Sequence, residues 1–181
     1  MSLFYFDDKL ESYESSFQWD QALEYLQDLF VHNDSIPLLN SLVGFSWLYL
    51  TEGPVISQKF EDDPSVLPLA VWKKYIDFGI LTASSNPYFN FIAGYTLSLS
   101  GLYISSEYES MGTTLMMKCS HLAGDKPLKE LADYFLINEE STKYIPLTNG
   151  KAICQKLFGG KSLLDRYFSE LYFDESVYPR N

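Results

Sequence analysis

The stretch LFGGKSLLDRYFSELYF, residues 157–173, decides between two fold classes. Its Gly159-Gly160-Lys161-Ser162 core reads either as the end of a phosphate-binding loop, fed by a β-strand, or as the joint between two helices. A phosphate loop needs Gly-x-x-x-x-Gly-Lys-Ser/Thr, so that wrapped backbone N–H groups can cradle the phosphates. The position for the first glycine holds Gln155, and the segment from Lys151 to Phe158 has no strand pattern. The helical alternative fits. Gly159 or Gly160 supplies a left-handed residue that closes one helix. Ser162, with Asp165 three residues on, forms a Ser-x-x-Asp version of the capping box for the next. The stretch is a joint, and the expected class is all-α.

Working outward, the periodicity is helical nearly throughout. Leu3, Phe6, Leu10, Tyr13 and Phe17 recur at three and four, giving a first helix that ends near Ser15-Ser16. Asp20 to Phe30 places Ala22, Leu23, Leu26, Leu29 and Phe30 on one stripe, with Glu24, Gln27 and Asp28 opposite. Asp34 or Ser35 caps a third helix with an early Pro37 and a Gly53-Pro54 stop. A loop from Val55 to Pro68 follows, tipped by Glu61-Asp62-Asp63, and helical pattern resumes over about Leu69 to Thr82. Asn86-Pro87 reads as cap and first-turn proline. Ser106-x-x-Glu109 opens a helix that carries Tyr108, Gly112, Leu115, Cys119 and Leu122 and stops at Gly124. Pro127 starts another, and two short helices, near 151–158 and 163–173, complete the pattern. No turn pair lies between two alternating apolar runs, so no strand is expected. At 181 residues the chain suits one domain, 1–181, of antiparallel helical hairpins. Two hairpins look related, and Gly94 and Gly112 stand where close helix contacts belong. The architecture is a degenerate tetratricopeptide-like solenoid or a helical bundle.

Between Phe78 and Ser106 there is no charged residue and no histidine. Asn90, Thr96, Ser98 and Ser100 interrupt it, so it offers no run of about 20 apolar residues for a membrane span. It reads instead as a central helix buried by its neighbours. The N-terminal MSLFYFDDKLESYE lacks a basic region and meets acids at once, unlike a signal peptide. Cys119 and Cys154 stand in apolar helical patterns without metal spacing, which predicts packed, reduced thiols and a cytoplasmic protein.

The charge is one-sided. Residues 1–63 hold twelve acids against Lys9 and Lys59, which accounts for ten of the eleven net negative charges. Such a field repels nucleic acid and anionic membrane and steers a basic partner. No sign of catalysis accompanies it. His32 and His121 lack zinc spacing, there is no Gly-x-Ser-x-Gly elbow, and Glu61-Asp62-Asp63 lacks the alternation of a calcium loop. The expected protein is therefore not an enzyme and has no cofactor or metal. Fourteen tyrosines point to recognition, although core and rim packing accounts for most of them.

The runs QWDQALEYLQDLF, GFSWLYLTEGP, AGYTLSLSGLYISSEYESMGTTLM and GGKSLLDRYFSELYF resemble small, helical, tetratricopeptide-like bacterial proteins. These are the immunity proteins of contact-dependent growth inhibition and other polymorphic toxin systems. The resemblance implies a cytosolic protein without catalysis that occludes the C-terminal domain of a cognate toxin, often a basic nuclease. The expected contacts are Asp7, Asp8, Glu11, Glu14, Glu24 and Asp28, with Tyr13 and Tyr25, plus Glu61, Asp62 and Asp63. The alternative is a tetratricopeptide-like adaptor that holds a peptide or regulatory protein in a groove. A third class, an enzyme, would show a pocket with convergent polar groups.

Overall fold

The apolar stripe of the second helix illustrates how the chain organises itself. In the computed structural model, Ala22, Leu23, Leu26 and Phe30 are all buried, while Glu24 and Asp28 on the other face are exposed. Burying each large side chain of such a stripe is worth about 1.5–3 kcal/mol. The structure describes residues 3–52, 67–100, 106–140 and 147–170. Among them there are nine helices and no strand: α1 Asp8–Ser15, α2 Trp19–His32, α3 Ile36–Glu52, α4 Leu67–Thr82, α5 Pro87–Ser100, α6 Ser106–Leu122, α7 Lys126–Glu140, α8 Gly150–Leu157 and α9 Leu163–Ser169. The fold is all-α.

The core is built round α3, in which every residue from Leu38 to Leu50 is buried. It packs against α2, α4, α5 and α9. Three polar residues inside this run have assigned work. Asn40 donates to the carbonyl of Leu3 at 3.0 Å, Ser41 accepts from the Tyr5 N–H at 2.8 Å, and Ser46 donates back to the Leu42 carbonyl at 2.6 Å. The first two tie down the segment before α1, which seats Leu3 and Phe4 in the core. The charge-free α5 is likewise enclosed, buried from Phe89 to Leu97. No described helix is long and apolar enough to cross a membrane.

Helices α5 and α6 meet backbone to backbone. A Cβ added at Gly94 would stand 3.0 Å from the Met116 nitrogen, and one at Gly112 would overlap the Ser98 nitrogen. The spacing of these glycines is thus a contact device, as their sequence positions suggested. Next to it Trp72 packs its ring 5.8 Å from Trp47 and 5.7 Å from Tyr108, and its indole donates to Thr96 at 3.2 Å.

The ends of the described chain come together. Phe4 lies 5.3 Å from Phe168 and 6.3 Å from Phe158. In an open stack of repeats each unit touches only its neighbours. Contact between residues 4 and 168 therefore closes the helices into a bundle.

The joint between α8 and α9 forms the capping box: Ser162 accepts from the Asp165 N–H at 3.0 Å, and Asp165 accepts from the Ser162 N–H at 3.2 Å. The glycines have a different reason from the one expected. Neither has a positive φ. A Cβ at Gly160 would collide with the Asp165 carboxylate, and one at Gly159 would lie 2.5 Å from the Gln155 carbonyl oxygen. They are small because a cap and a helix end pass over them. The Asn86 cap of α5 is also present, its side chain accepting from the Tyr88 and Phe89 N–H groups at 3.0 Å each. The proposed Gly53-Pro54 stop and the Glu61-Asp62-Asp63 tip lie outside the described residues.

The first helix departs from expectation at its start, while its end at Ser15 is the expected one. It starts at Asp8, not near Leu3, and Phe17 does not join its apolar stripe. Instead the N–H of Phe17 bonds to the Glu14 carbonyl and that of Gln18 to the Tyr13 carbonyl, the pair of bonds of a Schellman motif. Phe17 stands at the left-handed position of that motif, with φ of 56°, where glycine is usual. An aromatic residue there carries strain of about 1–2 kcal/mol. Its side chain is 77% exposed.

Candidate functional site

Seven of the twelve acids in the first third of the chain lie on α1, its cap and α2, which pack together. Asp7 caps α1, its Oδ1 accepting from the Leu10 N–H at 2.8 Å. Its Oδ2 accepts from the hydroxyls of Tyr5 and Tyr25, each at 2.6 Å. Desolvation alone would raise the pKa of this carboxyl, but the hydrogen bonds from Tyr25 and Tyr5 outweigh it and hold the group below its ordinary value. Lys9 lies 4.3 Å from the Tyr25 ring, and the Tyr13 ring stands edge-on to that of Tyr25 at 6.0 Å. Asp7 and Tyr25 therefore join α1 to α2 through their hydrogen bond, and the Tyr13 ring packs against that of Tyr25.

A pH dependence follows from Asp7. Its folded pKa lies below the ordinary 3.8, so the stability it contributes is complete above that value and fades as pH falls through it. Asp7→Ala is expected to lose about 1–2 kcal/mol at neutral pH, from the cap and the charged hydrogen bonds together. Urea unfolding of both proteins should show the gap narrowing as the solution is acidified below 3.8.

Glu14 is also employed within the fold. Its Oε2 accepts from the Leu163 N–H at 3.1 Å, linking α1 to the first turn of α9. Burial raises its pKa, and the Leu163 bond and nearby Arg166 offset this only in part. Together with Glu11, Ser15, Gly160, Lys161 and Arg166 it lines an open cleft of about 340 Å³ between α1 and the α8–α9 joint. The N–H groups that a phosphate loop would turn towards its ligand are spent here on carboxylates: that of Leu163 on Glu14 and that of Ser162 on Asp165.

The remaining expected contacts, Asp8, Glu11, Glu24 and Asp28, are exposed. On α2, Glu24 and Asp28 continue a row that begins at Asp20, spaced four residues apart along one face. Asp20 accepts from the Tyr49 hydroxyl at 2.8 Å through Oδ1 alone. Among the described residues no lysine or arginine forms an ion pair with any of these five carboxylates. Like charges at this spacing cost about 0.2–0.5 kcal/mol per pair. Glu61, Asp62 and Asp63 lie outside the described residues.

Two members of this surface escaped the sequence reading. Asp20 was counted among the acids, but its place in the four-residue row with Glu24 and Asp28 was legible and unused. Phe17 closes the three-and-four series of the first helix, and nothing in that series shows that it lies exposed beyond the helix end at Ser15-Ser16. The described tyrosines are buried or half-buried, and Tyr13 and Tyr25 of the expected face are half-buried.

Elsewhere polar groups serve packing. Ser120 donates to Asp133, and Lys129 donates to Ser120 at 3.1 Å and to Asp133 at 2.7 Å, clamping α6 to α7. Lys129 is the charged partner of Asp133, and although desolvation raises the Asp133 pKa, the bonds from Lys129 and Ser120 bring it below normal, making it a weak base. Burial lifts the Cys119 thiol to about 12, far from the thiolate a nucleophile needs. Cys154 is buried as well, and no disulfide joins the two. Among the described residues no group of histidine, cysteine, aspartate and glutamate side chains is arranged to hold a metal ion. No family model, curated protein or solved structure matches the chain.

Proposed function

We propose that the protein is an immunity protein that binds and neutralises a cognate toxin domain, a basic protein of nuclease type, by covering its active surface. The observation that supports this reading is the Asp20, Glu24 and Asp28 row, exposed and without an ion-paired base among the described residues. A helix that only needed solubility would gain from a lysine four residues away, as α7 does with Lys126 and Glu130 at 3.4 Å. The α2 row forgoes that gain and keeps its field directed outwards, where it accelerates encounter with a positive surface. The resemblance of the helical runs to toxin-immunity proteins points the same way.

The test is co-expression with a candidate toxin domain, the C-terminal domain of whatever protein is encoded immediately upstream. A stable complex by size-exclusion chromatography, with that domain's toxicity abolished in cells, is the expected result. Full toxicity in the presence of the folded protein, with separate elution of the two, would refute the reading.

A further inference from the structure

Phe17 bears two costs that the fold does not recover. Its ring is 77% exposed, and its backbone occupies the left-handed position of the α1 C-terminal motif. Exposure alone would mean little, since single apolar side chains on a surface are ordinary. Val31 and Leu81 are 78% and 83% exposed, but they lie within the regular helices α2 and α4. At position 17 the main chain itself favours glycine, and a bulky aromatic residue is held there against that preference. Among the described residues, neither burial nor backbone geometry explains the side chain.

The surroundings indicate what would cover it. Glu11 precedes Phe17 on α1 and Asp20 and Glu24 follow it on α2, all three exposed and outside any ion pair among the described residues. The cleft that Glu11, Glu14 and Ser15 line on one side, with Lys161 and Arg166 on the other, reaches the same corner. An apolar ring at the turn between two helices that carry these exposed carboxylates matches an apolar socket rimmed by lysine and arginine. Interface energy concentrates in such aromatic anchors once water is excluded around them.

We infer that Phe17 is the apolar anchor by which the acidic α1–α2 corner docks into a cation-rimmed pocket of a basic protein. This inference rests on the partner-binding reading above and names the residue that holds the complex together.

The experiment uses the full chain and, as probe, the candidate toxin domain encoded immediately upstream. Dissociation constants are measured for the wild type, Phe17→Gly and Phe17→Leu, alongside urea unfolding of each chain alone. Phe17→Gly is expected to raise the unfolding midpoint, because glycine accepts the left-handed backbone. It is also expected to weaken binding by about 30-fold or more, as loss of an anchor does. The salt dependence of binding should stay unchanged, because no charge is removed. Phe17→Leu should recover part of the affinity. Glycine binding as tightly as phenylalanine would overturn the anchor and leave the immunity reading intact. Wild type failing to bind would overturn both. Sedimentation of each chain alone adds one more outcome: a wild-type dimer lost on Phe17→Gly would assign the ring to a second copy of this chain and overturn the basic partner.

Discussion

Gly112→Val is expected to lower the stability of the fold by about 3 kcal/mol or more, and Gly124→Ala to leave it unchanged or raise it slightly. The contrast comes from what each added atom meets. At Gly112 a Cβ runs into the Ser98 backbone nitrogen and stands 2.6 Å from its hydroxyl and 2.9 Å from the Gly94 carbonyl oxygen. Backbone atoms of a buried helix cannot swing aside as the end of a side chain can, so α5 and α6 must part. Parting them reaches Trp72, which bonds to Thr96 on α5 and packs on Tyr108 of α6. At Gly124, just past the end of α6, nothing lies within 4 Å of the added atom and φ is not positive. Domains of this kind are held by only about 5–15 kcal/mol, so the valine variant should show a lower urea midpoint and poorer soluble yield. A Gly112→Val protein as stable as the wild type would mean that α5 and α6 do not cross at these glycines.

If the proposed partner is a basic toxin domain, reversing Glu24 and Asp28 to lysine together is expected to slow its association by about tenfold to a hundredfold at low salt. Both side chains are exposed, so the core is untouched. The effect should shrink towards wild type as ionic strength rises, because screening at about 0.1 M already confines such fields to roughly 10 Å. Dissociation should change far less than association. Glu24→Lys alone makes a sharper case. It stands four residues from both Asp20 and Asp28 and creates two attractive pairs, each worth about 0.2–0.5 kcal/mol. That variant should unfold at higher urea while binding more slowly, so that stability and encounter move in opposite directions. Equal association rates at low salt for all three proteins would remove this face from the interface.

Much of the fold was legible because it is encoded locally. The α2 stripe, the Asn86-Pro87 start and the Ser162–Asp165 cap each lie within a few residues, so the side chains that decide them are visible together. The P-loop question was settled by the same short-range chemistry. What escaped was set by distance. Glu14 finds its partner 149 residues away, and Asp7 is committed to Tyr25 on another helix, so counting acids cannot separate an outward carboxylate from an employed one. Phe17 escaped for another reason. The helix end near Ser15-Ser16 was legible, but a three-and-four series does not show that the residue after it takes the left-handed position of the cap. The Gly159-Gly160 pair was recognised as a joint, whereas the crowding that demands glycine depends on how Asp165 and Gln155 fold back over it.

The meeting of Phe4 with Phe158 and Phe168 has a consequence for synthesis. While the ribosome is still at work, the earliest aromatic side chain must wait without its seat, since the residues that form it are translated more than 150 positions later. The nascent protein can assemble its inner helices as they emerge, but its hydrophobic seam stays open until translation of α9 is complete. A stalled or truncated product would therefore expose that seam, giving chaperones and proteases a signal that distinguishes unfinished copies from finished ones.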